Sequence, residues 1–256
     1  MIAHYKPRSS AAEAYRNIHT NLKLDASKKT ILVTSSGPRE GKSTVVTNLG
    51  IVMGQAGLKT LLVSADLRRP ILSKIFGIKK EPGLSELIMG TAQLEETLNN
   101  ITDIMLGDMK FEDIRLTPGI ENIWIISAGK LPSNPVEVLD AKGMPALIEK
   151  FKSQFDVIIF DSPPVLPVTD ASVLASKVDC VVIVYEIGRT SREALMRTKT
   201  QLESIGPKVG GVILNNTRPQ TEAISSYPYY YHYKYKYYGK EETGGEHRNN
   251  REQKGA

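Results

Sequence analysis

Small and basic side chains are grouped in one ten-residue segment, SSGPREGKST, which runs from Ser35 to Thr44. The segment follows a short apolar run and leads into a stretch with helical spacing, and it places Gly37 and Gly41 before Lys42. At such a strand-to-helix turn, backbone N–H groups and the amino end of the helix surround phosphate oxygens. The segment therefore predicts a phosphate-binding loop. The alternative is an ordinary glycine-containing turn with a solvated lysine.

The strict sequence of such a loop, G-x4-G-K-[ST], is not met, because Ser36 occupies the position of the first glycine. Serine is small, so the relaxed form of the loop remains. In this geometry Lys42 reaches the β and γ phosphates of a nucleotide, and the hydroxyl of Ser43 ligates Mg²⁺. The loop residues predicted to bind ATP are Gly37, Pro38, Arg39, Glu40, Gly41, Lys42, Ser43 and Thr44.

Two aspartates follow apolar runs elsewhere in the chain and are predicted to face the same loop. Asp161 comes after VIIF, at the carboxyl edge of the expected sheet, where ligands bind in folds of this kind. Mg²⁺ needs more oxygen ligands than the loop supplies, so Asp161 is predicted to be a metal ligand of Walker B type. Asp66, in LLVSADLRRP, is predicted to bind the metal through water or to accept a proton from an attacking hydroxyl. For both aspartates the alternative is a helix cap.

Short apolar runs rich in β-branched residues recur along the chain, and stretches with helical spacing follow them. Continuous apolar runs are typical of strands buried on both faces of a parallel sheet. This alternation predicts an α/β fold: a doubly wound, mostly parallel sheet of P-loop NTPase type with helices on both faces. The predicted strands are Thr30 to Ser35, Thr60 to Ala65, Asn122 to Ser127, Asp156 to Phe160, Cys180 to Tyr185 and Gly211 to Asn215. One apolar helical face is predicted from Val45, Val46, Leu49, Val52, Met53 and Ala56.

Composition excludes several classes of protein. With 256 residues and 41% hydrophobic composition, the chain can build a packed core. It has no run of about 18 apolar residues and no apolar segment of a signal peptide, so we expect a cytoplasmic protein. Cys180 is the only cysteine and lies in an apolar run, which argues against disulfides, thiolate metal sites and cysteine-ligated clusters. The net charge of +5 would suit either a nucleic-acid or a membrane-surface partner and decides nothing alone.

Tyrosines are concentrated near the carboxyl end, in SSYPYYYHYKYKYYG. This segment has neither the helical nor the strand-like periodicity of a core element, and a polar, charged stretch follows it. We therefore predict a domain of residues 1–224, with an N-terminal helical segment in 1–28, and a mobile tyrosine-rich tail of residues 225–256. Eight of the eleven tyrosines of the chain lie in the tail: Tyr227, Tyr229, Tyr230, Tyr231, Tyr233, Tyr235, Tyr237 and Tyr238.

Together these segments resemble the bacterial tyrosine kinases, cytoplasmic enzymes tied to capsule and exopolysaccharide production, whose fold is not that of eukaryotic kinases. The resemblance covers nearly the whole chain and depends on SSGPREGKS, LLVSADLRRP, VIIFDSPP, GKLPSNPVEVL and the carboxyl-terminal tyrosine cluster. It implies a protein-tyrosine kinase that regulates the synthesis and export of capsular or extracellular polysaccharide. It also implies that Lys42 and Ser43 bind ATP and Mg²⁺, that Asp161 belongs to the Mg²⁺ shell, and that the eight tail tyrosines accept phosphate between subunits. The residues predicted to act in catalysis are Lys42, Asp66 and Asp161.

The tail itself supports a kinase. Disordered segments are normally poor in aromatic residues, so a mobile tail this rich in tyrosine needs a reason other than solubility. The residues from Leu214 to Tyr227 span at most about 43 Å, which is enough to reach the active site of a neighbouring subunit. Tethering would supply a roughly millimolar effective concentration of substrate. The alternative is a tail that stacks on single-stranded nucleic acid, although no nucleic-acid partner is expected.

Glu13, Arg16 and His19 are spaced three residues apart in EAYRNIH, which places them on one helical face. In the family, an E-x2-R-x2-R pattern at this place contributes to the contact between subunits of a ring, so we expect a homo-oligomer. His19 replaces the second arginine, which predicts a change in the strength or the pH response of that contact. A surface salt bridge without a role in assembly is the alternative.

Two further positions bear on the site. The second Walker segment of the family reads aspartate, any residue, aspartate, whereas this chain has Ser64 in the first position and Asp66 in the third. Loss of the first carboxylate predicts a weak kinase or one that uses Asp66 alone. Asn215 ends the apolar run GVILN, and its amide is predicted to pair with the edge of adenine. A turn-forming asparagine is the alternative.

From the sequence alone, two other functions remain open. An ATPase switch of MinD or ParA type shares the fold, but it carries a lysine in its phosphate loop where this chain has Gly37, and it has no use for the tyrosines. A nucleotide-sensing scaffold with weak catalysis would combine tight ATP binding with slow turnover. For the kinase, the resemblance implies a cognate phosphatase and a separate transmembrane adaptor that activates the enzyme and recruits it to the inner face of the membrane.

Overall fold

In the part of the chain that the structure describes, seven strands form one central sheet. The strands are β1 Thr30–Ser35, β2 Thr60–Ser64, β3 Asn99–Asn100, β4 Ile123–Ile126, β5 Val157–Asp161, β6 Cys180–Glu186 and β7 Val209–Asn215. Their order in the sheet is β3-β4-β2-β5-β1-β6-β7. The computed structural model describes residues 1–22, 28–102, 118–206 and 209–217.

The sheet is parallel except at one edge, where β3 runs antiparallel to β4. The neighbours of β1 come from far along the chain, since Thr30 pairs with Ile158 and Ile31 pairs with Cys180. This topology confirms the predicted doubly wound α/β fold. The antiparallel β3 was not predicted, because two residues are too few to show a periodic pattern.

Helices cover both faces of the sheet. They are α1 Ile2–Tyr5, α2 Ser10–Leu22, α3 Lys42–Gln55, α4 Leu72–Phe76, α5 Leu84–Met89, α6 Leu94–Thr97, α7 Pro135–Asp140, α8 Gly143–Gln154, α9 Asp170–Ala175 and α10 Arg192–Ile205, with a 3-10 turn at Ile120–Asn122. None of the helices in the described ranges is both long enough and apolar enough to cross a bilayer.

Two apolar clusters fill the space between the sheet and these helices. Successive residues of a strand point to opposite faces, so Ile31 and Val33 pack in the cluster that contains α3, while Leu32 packs in the other. Phe151 and Phe160 are the largest fully buried side chains of the second cluster. Burial on both faces explains why the central strands β1, β2 and β5 are continuous apolar runs.

Helix α3 is buried along nearly its whole length, rather than on the single face predicted from the sequence. Its outer side is covered by α1 and α2. The backbone N–H of Ala3 donates to Oδ1 of Asn48 at 3.0 Å, and Nδ2 of Asn48 donates to the carbonyl of Thr44 at 2.8 Å. Burial raises the pKa of Tyr15, and its hydrogen bond with Asn48 acts in the opposite direction. The N-terminal helices are therefore attached to the helix that follows the predicted phosphate loop.

The amino edge of the sheet is closed by Asp179. Its Oδ2 accepts hydrogen bonds from the backbone N–H of Lys29 at 3.0 Å and from the backbone and hydroxyl of Thr30 at 2.9 and 2.7 Å. Its Oδ1 pairs with Lys152 at 3.0 Å. Burial alone would raise the pKa of Asp179, but the hydrogen bonds from Thr30 and the pair with Lys152 lower it below its usual range. The contacts of Asp179 therefore stabilise the fold at the amino edge of the sheet. The aspartates predicted to act in catalysis lie at the opposite, carboxyl edge.

The described chain from Met1 to Asn216 forms one compact unit. Helices α1 and α2 occupy the predicted N-terminal segment of residues 1–28. The predicted tail, residues 225–256, lies outside the described residues, so its boundary and its eight tyrosines remain predictions.

Candidate active site

The predicted phosphate loop connects β1 to α3 and is held from outside by two later parts of the chain. Gly41 precedes α3 with a φ of 91°, a conformation that favours glycine, and a Cβ atom there would collide with the amide of Asn215. Arg39 also has a positive φ, of 62°. Its carbonyl accepts a hydrogen bond from Nη1 of Arg189 at 3.2 Å. The loop is thus fixed by the end of β7 and by the turn after β6.

Side chains beneath the loop support it. The hydroxyl of Ser35 donates to the carbonyl of Gly37 at 2.6 Å, and Oε1 of Glu40 accepts a hydrogen bond from the N–H of Gly37. Glu40 is 2% exposed, and its Oε2 has no hydrogen-bond partner within the described part of the chain. Thr198, on α10, donates to the hydroxyl of Ser36 at 2.9 Å. The carboxylate of Glu40 supports the loop from inside, so a nucleotide contact from this residue would use its backbone.

Ser43 and Asp161 meet below the loop. The hydroxyl of Ser43 donates to Oδ2 of Asp161 at 2.6 Å, which joins the first turn of α3 to the end of β5. Asp161 is 1% exposed. Burial raises the pKa of Asp161 to about 7, although the hydrogen bond from Ser43 and the charge of Lys42 both act to lower it. The buried position of Asp161 therefore disfavours its ionised form unless further positive charge is close to it.

This arrangement fits a Mg²⁺ ion. Oδ1 of Asp161 is buried and, among the residues that the structure describes, has no hydrogen-bond partner. A buried carboxylate oxygen without a hydrogen-bond partner lowers the stability of the folded protein unless a ligand binds it. Hydroxyl and carboxylate oxygens are ligands that Mg²⁺ accepts. The described ranges contain no group of three or more His, Cys, Asp or Glu residues that could hold a metal by themselves. The remaining ligands would therefore come from nucleotide phosphates and water.

Lys42 begins α3 and is 8% exposed. Burial lowers the pKa of Lys42, while the charges of Asp161, Asp66 and Glu40 oppose that decrease. In the described ranges, its ammonium group makes no direct hydrogen bond or ion pair. The cation is therefore available to a phosphate group in the loop.

Asp66 follows β2 and turns back on its own loop. Its Oδ1 accepts hydrogen bonds from the backbone N–H groups of Arg68 at 3.2 Å and Arg69 at 2.9 Å. These bonds close a turn and do not cap a helix, because α4 begins at Leu72 and its N-cap is Ile71. However, Oδ2 makes no hydrogen bond to any residue in the described ranges, so it is free to accept a proton. Its charge acts on Lys42 and on Asp161, which places Asp66 in the same site.

An ion pair behind Asp66 was missed in the sequence. Nε of Arg68 donates to both carboxylate oxygens of Asp170, at 3.0 and 3.1 Å, and the side chain of Asp170 is fully buried. The pair joins the loop after β2 to the start of α9, which follows β5. It therefore holds the backbone around Asp66 in place relative to Asp161. No local pattern could reveal it, because the partners are 102 residues apart.

Ser64 lies beside Asp161 in the sheet. The two residues are paired across β2 and β5, and Ser64 is fully buried. The hydroxyl of Ser64 has no hydrogen-bond partner among the described residues. The aspartate that the family carries at this position would therefore stand next to the carboxylate of Asp161.

Asn215 holds the back of the phosphate loop. Its Nδ2 donates to the carbonyl of Glu40 at 3.0 Å. This contact engages the amide that was predicted to pair with adenine, and the adenine contact stays a prediction. The sequence placed Asn215 at a strand end correctly but could not show which way its amide turns.

The predicted subunit-contact residues share one helix. Glu13 and Arg16 form an ion pair on α2, with side chains 33% and 39% exposed. Nη2 of Arg16 also donates to the carbonyl of Pro7 at 2.7 Å. Burial lowers the pKa of His19. The ion pair forms within one subunit, so the role of these residues in assembly remains a prediction.

Comparisons with known proteins identify the family of the chain. A family model described as an AAA domain matches residues 28–209. The chain is 31% identical over 233 residues to tyrosine-protein kinase YwqD of Bacillus subtilis, with 90% of each chain covered. It is 33% identical over 219 residues to tyrosine-protein kinase CpsD of Streptococcus agalactiae, covering 85% of this chain and 89% of that protein. The kinase domain of Escherichia coli tyrosine kinase ETK matches with a TM-score of 0.76 and 28% identity, over 86% of this chain and 81% of that one.

These similarities decide between the functions that the sequence left open. The matches to YwqD and CpsD cover 90% and 89% of those proteins, and both are named tyrosine-protein kinases. A switch ATPase is therefore not favoured. The fold and the phosphate loop imply nucleotide binding. The resemblance found in the sequence is confirmed, and the chain belongs to the family of bacterial tyrosine-protein kinases.

Proposed function

We propose that this kinase transfers the γ-phosphoryl group of ATP to tyrosines in the tail of a neighbouring subunit. The observation that carries the proposal is the junction of Ser43 and Asp161 beneath the loop, with an unpaired carboxylate oxygen and the cation of Lys42 nearby. The loop, Lys42 and Asp161 thus meet at the carboxyl edge of the sheet, where they would serve as phosphate cradle, cation and metal ligand. The products are ADP and phosphotyrosine.

The loop from Gly37 to Thr44 holds ATP, and Asn215 approaches the adenine. Lys42 offsets the negative charge of the transferring group. Ser43 and Asp161 would hold Mg²⁺, and Asp66 would act on it through water. When bound, the metal neutralises charge on the phosphate oxygens. Catalysis then consists mostly of placement and charge stabilisation, as in phosphoryl transfer generally.

Asp66 orients the incoming tyrosine and accepts its phenolic proton at Oδ2. A bond forms from the γ-phosphorus to the phenolic oxygen while the bond to the bridging oxygen of ATP breaks, and ADP leaves. The two backbone hydrogen bonds to Oδ1 keep the carboxylate in one position. The ion pair of Arg68 with Asp170 supports that loop from behind.

The cellular setting follows from the family. Unphosphorylated chains form a ring through Glu13, Arg16 and His19, so that the tail of one subunit reaches the site of the next. A separate transmembrane adaptor activates the kinase and brings it to the inner face of the membrane, and a cognate phosphatase reverses the modification. The phosphorylated tail regulates the synthesis and export of capsular or extracellular polysaccharide. The support for this setting is the family membership together with the match of Glu13 and Arg16 to the family pattern.

The test is to incubate the purified chain with Mg-ATP and to locate phosphotyrosine by mass spectrometry, with Lys42→Met as the matched control. We expect phosphate on the cluster from Tyr227 to Tyr238 in the wild type and none in the variant. An unmodified tail in the presence of the adaptor's activating segment, despite measurable ATP binding, would refute the proposal and favour a nucleotide-sensing scaffold.

A further inference from the structure

A pocket of about 410 Å³ lies between the end of α5 and the segment that leads into α7. Most of its lining belongs to GKLPSNPVEVL, a segment on which the family resemblance depends and to which the proposed mechanism assigns no task. The lining residues that matter here are Met89, Lys130, Leu131, Ser133, Glu137 and Val138.

The rim of the pocket is preformed. The carboxylate of Glu86, on α5, accepts hydrogen bonds from the backbone N–H groups of Gly83 and Lys130, each at 2.9 Å. Gly129 has a φ of 79°, and a Cβ atom there would collide with the carboxylate of Glu86. The N–H of Gly129 donates to the carbonyl of Lys80 at 3.1 Å. A ligand would therefore bind without having to order this segment first.

The lining combines an exposed apolar centre with charges of both signs. Met89 and Leu131 are 53% and 51% exposed, although they are large apolar side chains. Lys130 and Glu137 are also exposed, and neither side chain makes an ion pair or hydrogen bond within the ranges that the structure describes. Such a lining fits an aromatic side chain that has an apolar ring, a polar tip and a basic neighbour in sequence.

The pocket lies on the same edge of the sheet as the phosphate loop. It is built on the segment after β4, and β4 is two strands from β5 and three from β1. At roughly 4.8 Å per strand, the pocket is displaced sideways from the site of Asp161 and the loop by about 10 to 15 Å. Three to four residues of extended peptide span about 10 to 13 Å at roughly 3.3 Å per residue, which covers the displacement from Asp161.

We propose that this pocket binds one tyrosine of the tail of a second copy of the chain while a tyrosine three or four residues away is being modified. The ring lies between Met89 and Leu131, and Glu137 pairs with Lys234 or Lys236 of the tail. Eight tyrosines within twelve residues allow this spacing in several registers, as with Tyr227 and Tyr231. The inference rests on the proposed function, because it names the docking site of that substrate.

The experiment separates the enzyme from its substrate. The enzyme is the full active chain, and the acceptor is the full chain carrying Lys42→Met, which cannot modify itself. In the enzyme, either Glu137→Lys or the pair Met89→Ala and Leu131→Ala should raise KM for the acceptor about tenfold and leave ATP hydrolysis unchanged. The control is Met196→Ala, which removes an equally exposed methionine from α10 and should change neither value.

Placing the same substitutions in the acceptor chain provides a second control. They should leave the rate unchanged there, because the acceptor contributes its tail and not its pocket. Charge exchange tests the pairing directly. An acceptor with Lys234→Glu and Lys236→Glu should be phosphorylated better by the Glu137→Lys enzyme than by the wild type.

Binding can be measured without catalysis by the fluorescence anisotropy of a labelled peptide of residues 225–239 added to the full Lys42→Met chain. Weaker binding on Glu137→Lys supports the pocket whether or not the enzyme is active. Peptide binding or acceptor KM that is insensitive to both pocket variants overturns the inference. Absence of any tail phosphorylation by the wild type, with pocket-dependent peptide binding intact, would instead refute the proposed function.

Discussion

Replacing Asp161 by asparagine should stabilise the ligand-free protein at neutral and alkaline pH. Asp161 is 1% exposed, and burial raises its pKa from 3.8 to about 7. Asparagine has the shape of a protonated aspartate, and its carbonyl can still accept the hydrogen bond from Ser43. Above pH 7 the wild type must hold a buried negative charge that the variant lacks, so the wild type is the less stable of the two.

The magnitude follows from the change in pKa. Each pKa unit corresponds to about 1.4 kcal/mol, so roughly three units give an upper limit of about 4 kcal/mol, and we expect a gain of about 2 kcal/mol or more. The folded pKa lies above the unfolded one, so the native state binds more protons between the two values. The stability of the wild type therefore falls as the pH rises from about 4 to 7. The advantage of the variant should be absent near pH 4, grow through this window and stay constant above it.

Urea unfolding between about pH 5 and 8, with a chelator present and no nucleotide, measures this difference. Asp156→Asn, at the exposed residue directly before β5, is the control for removing a carboxylate next to the same strand. Addition of Mg-ADP should reverse the order, because only the wild type gains the full free energy of ligand binding. A variant that is less stable than the wild type at pH 8, or a difference that does not change with pH, would refute the reasoning.

Three other predictions concern neighbouring features. Gly41→Ala should weaken nucleotide binding more than tenfold by equilibrium titration, because the added Cβ would collide with Asn215. The control is Gly57→Ala, since Gly57 has a similar φ of 86° and open space around it. This control should cost only about 1 kcal/mol of stability and leave nucleotide binding unchanged. Equal effects of the two would contradict a role for the collision. Asp179→Asn should lower the free energy of unfolding by about 2 kcal/mol at pH 7, measured in urea. Because the pKa of Asp179 is lowered in the folded state, this loss should shrink as the pH falls through that pKa. A loss of stability that persists in acid would argue against a role for the charge of Asp179. Ser64→Asp should raise the rate of autophosphorylation, because it adds a carboxylate beside Asp161. The rate is measured as phosphotyrosine formed per minute. An unchanged rate with intact nucleotide binding would show that position 64 does not limit catalysis.

The strands and the phosphate loop could be predicted from the sequence because their signals are local. The run from Thr30 to Ser35 is rich in apolar and β-branched residues, and the structure begins and ends β1 at these residues. The loop residues are contiguous, so their spacing alone indicated a phosphate site. Asp161 was predicted to lie at the edge of the sheet from the apolar run before it, and the structure places it in contact with Ser43.

Features that depend on distant parts of the chain could not be predicted in the same way. The periodicity of α3 indicated one apolar face, but α1 and α2 cover the other side, and no property of α3 itself reveals that cover. The pairing of Arg68 with Asp170 and the direction of the amide of Asn215 are set by tertiary packing. The glycine at position 41 was recognised as part of a loop, whereas its contact with β7 requires the folded sheet.

The order of the strands has a consequence for how this protein is made. The phosphate loop is translated before the strands that complete it, because β1 must be flanked by β5 and β6, whose residues Ile158 and Cys180 are added well over a hundred residues later. Until then β1 has two unpaired edges, and Ser43 has no carboxylate below it. Pairing over such long separations is slow and leaves apolar strands open to other chains. During synthesis, therefore, neither nucleotide nor metal can protect the nascent chain from aggregation until β5 and β6 have emerged.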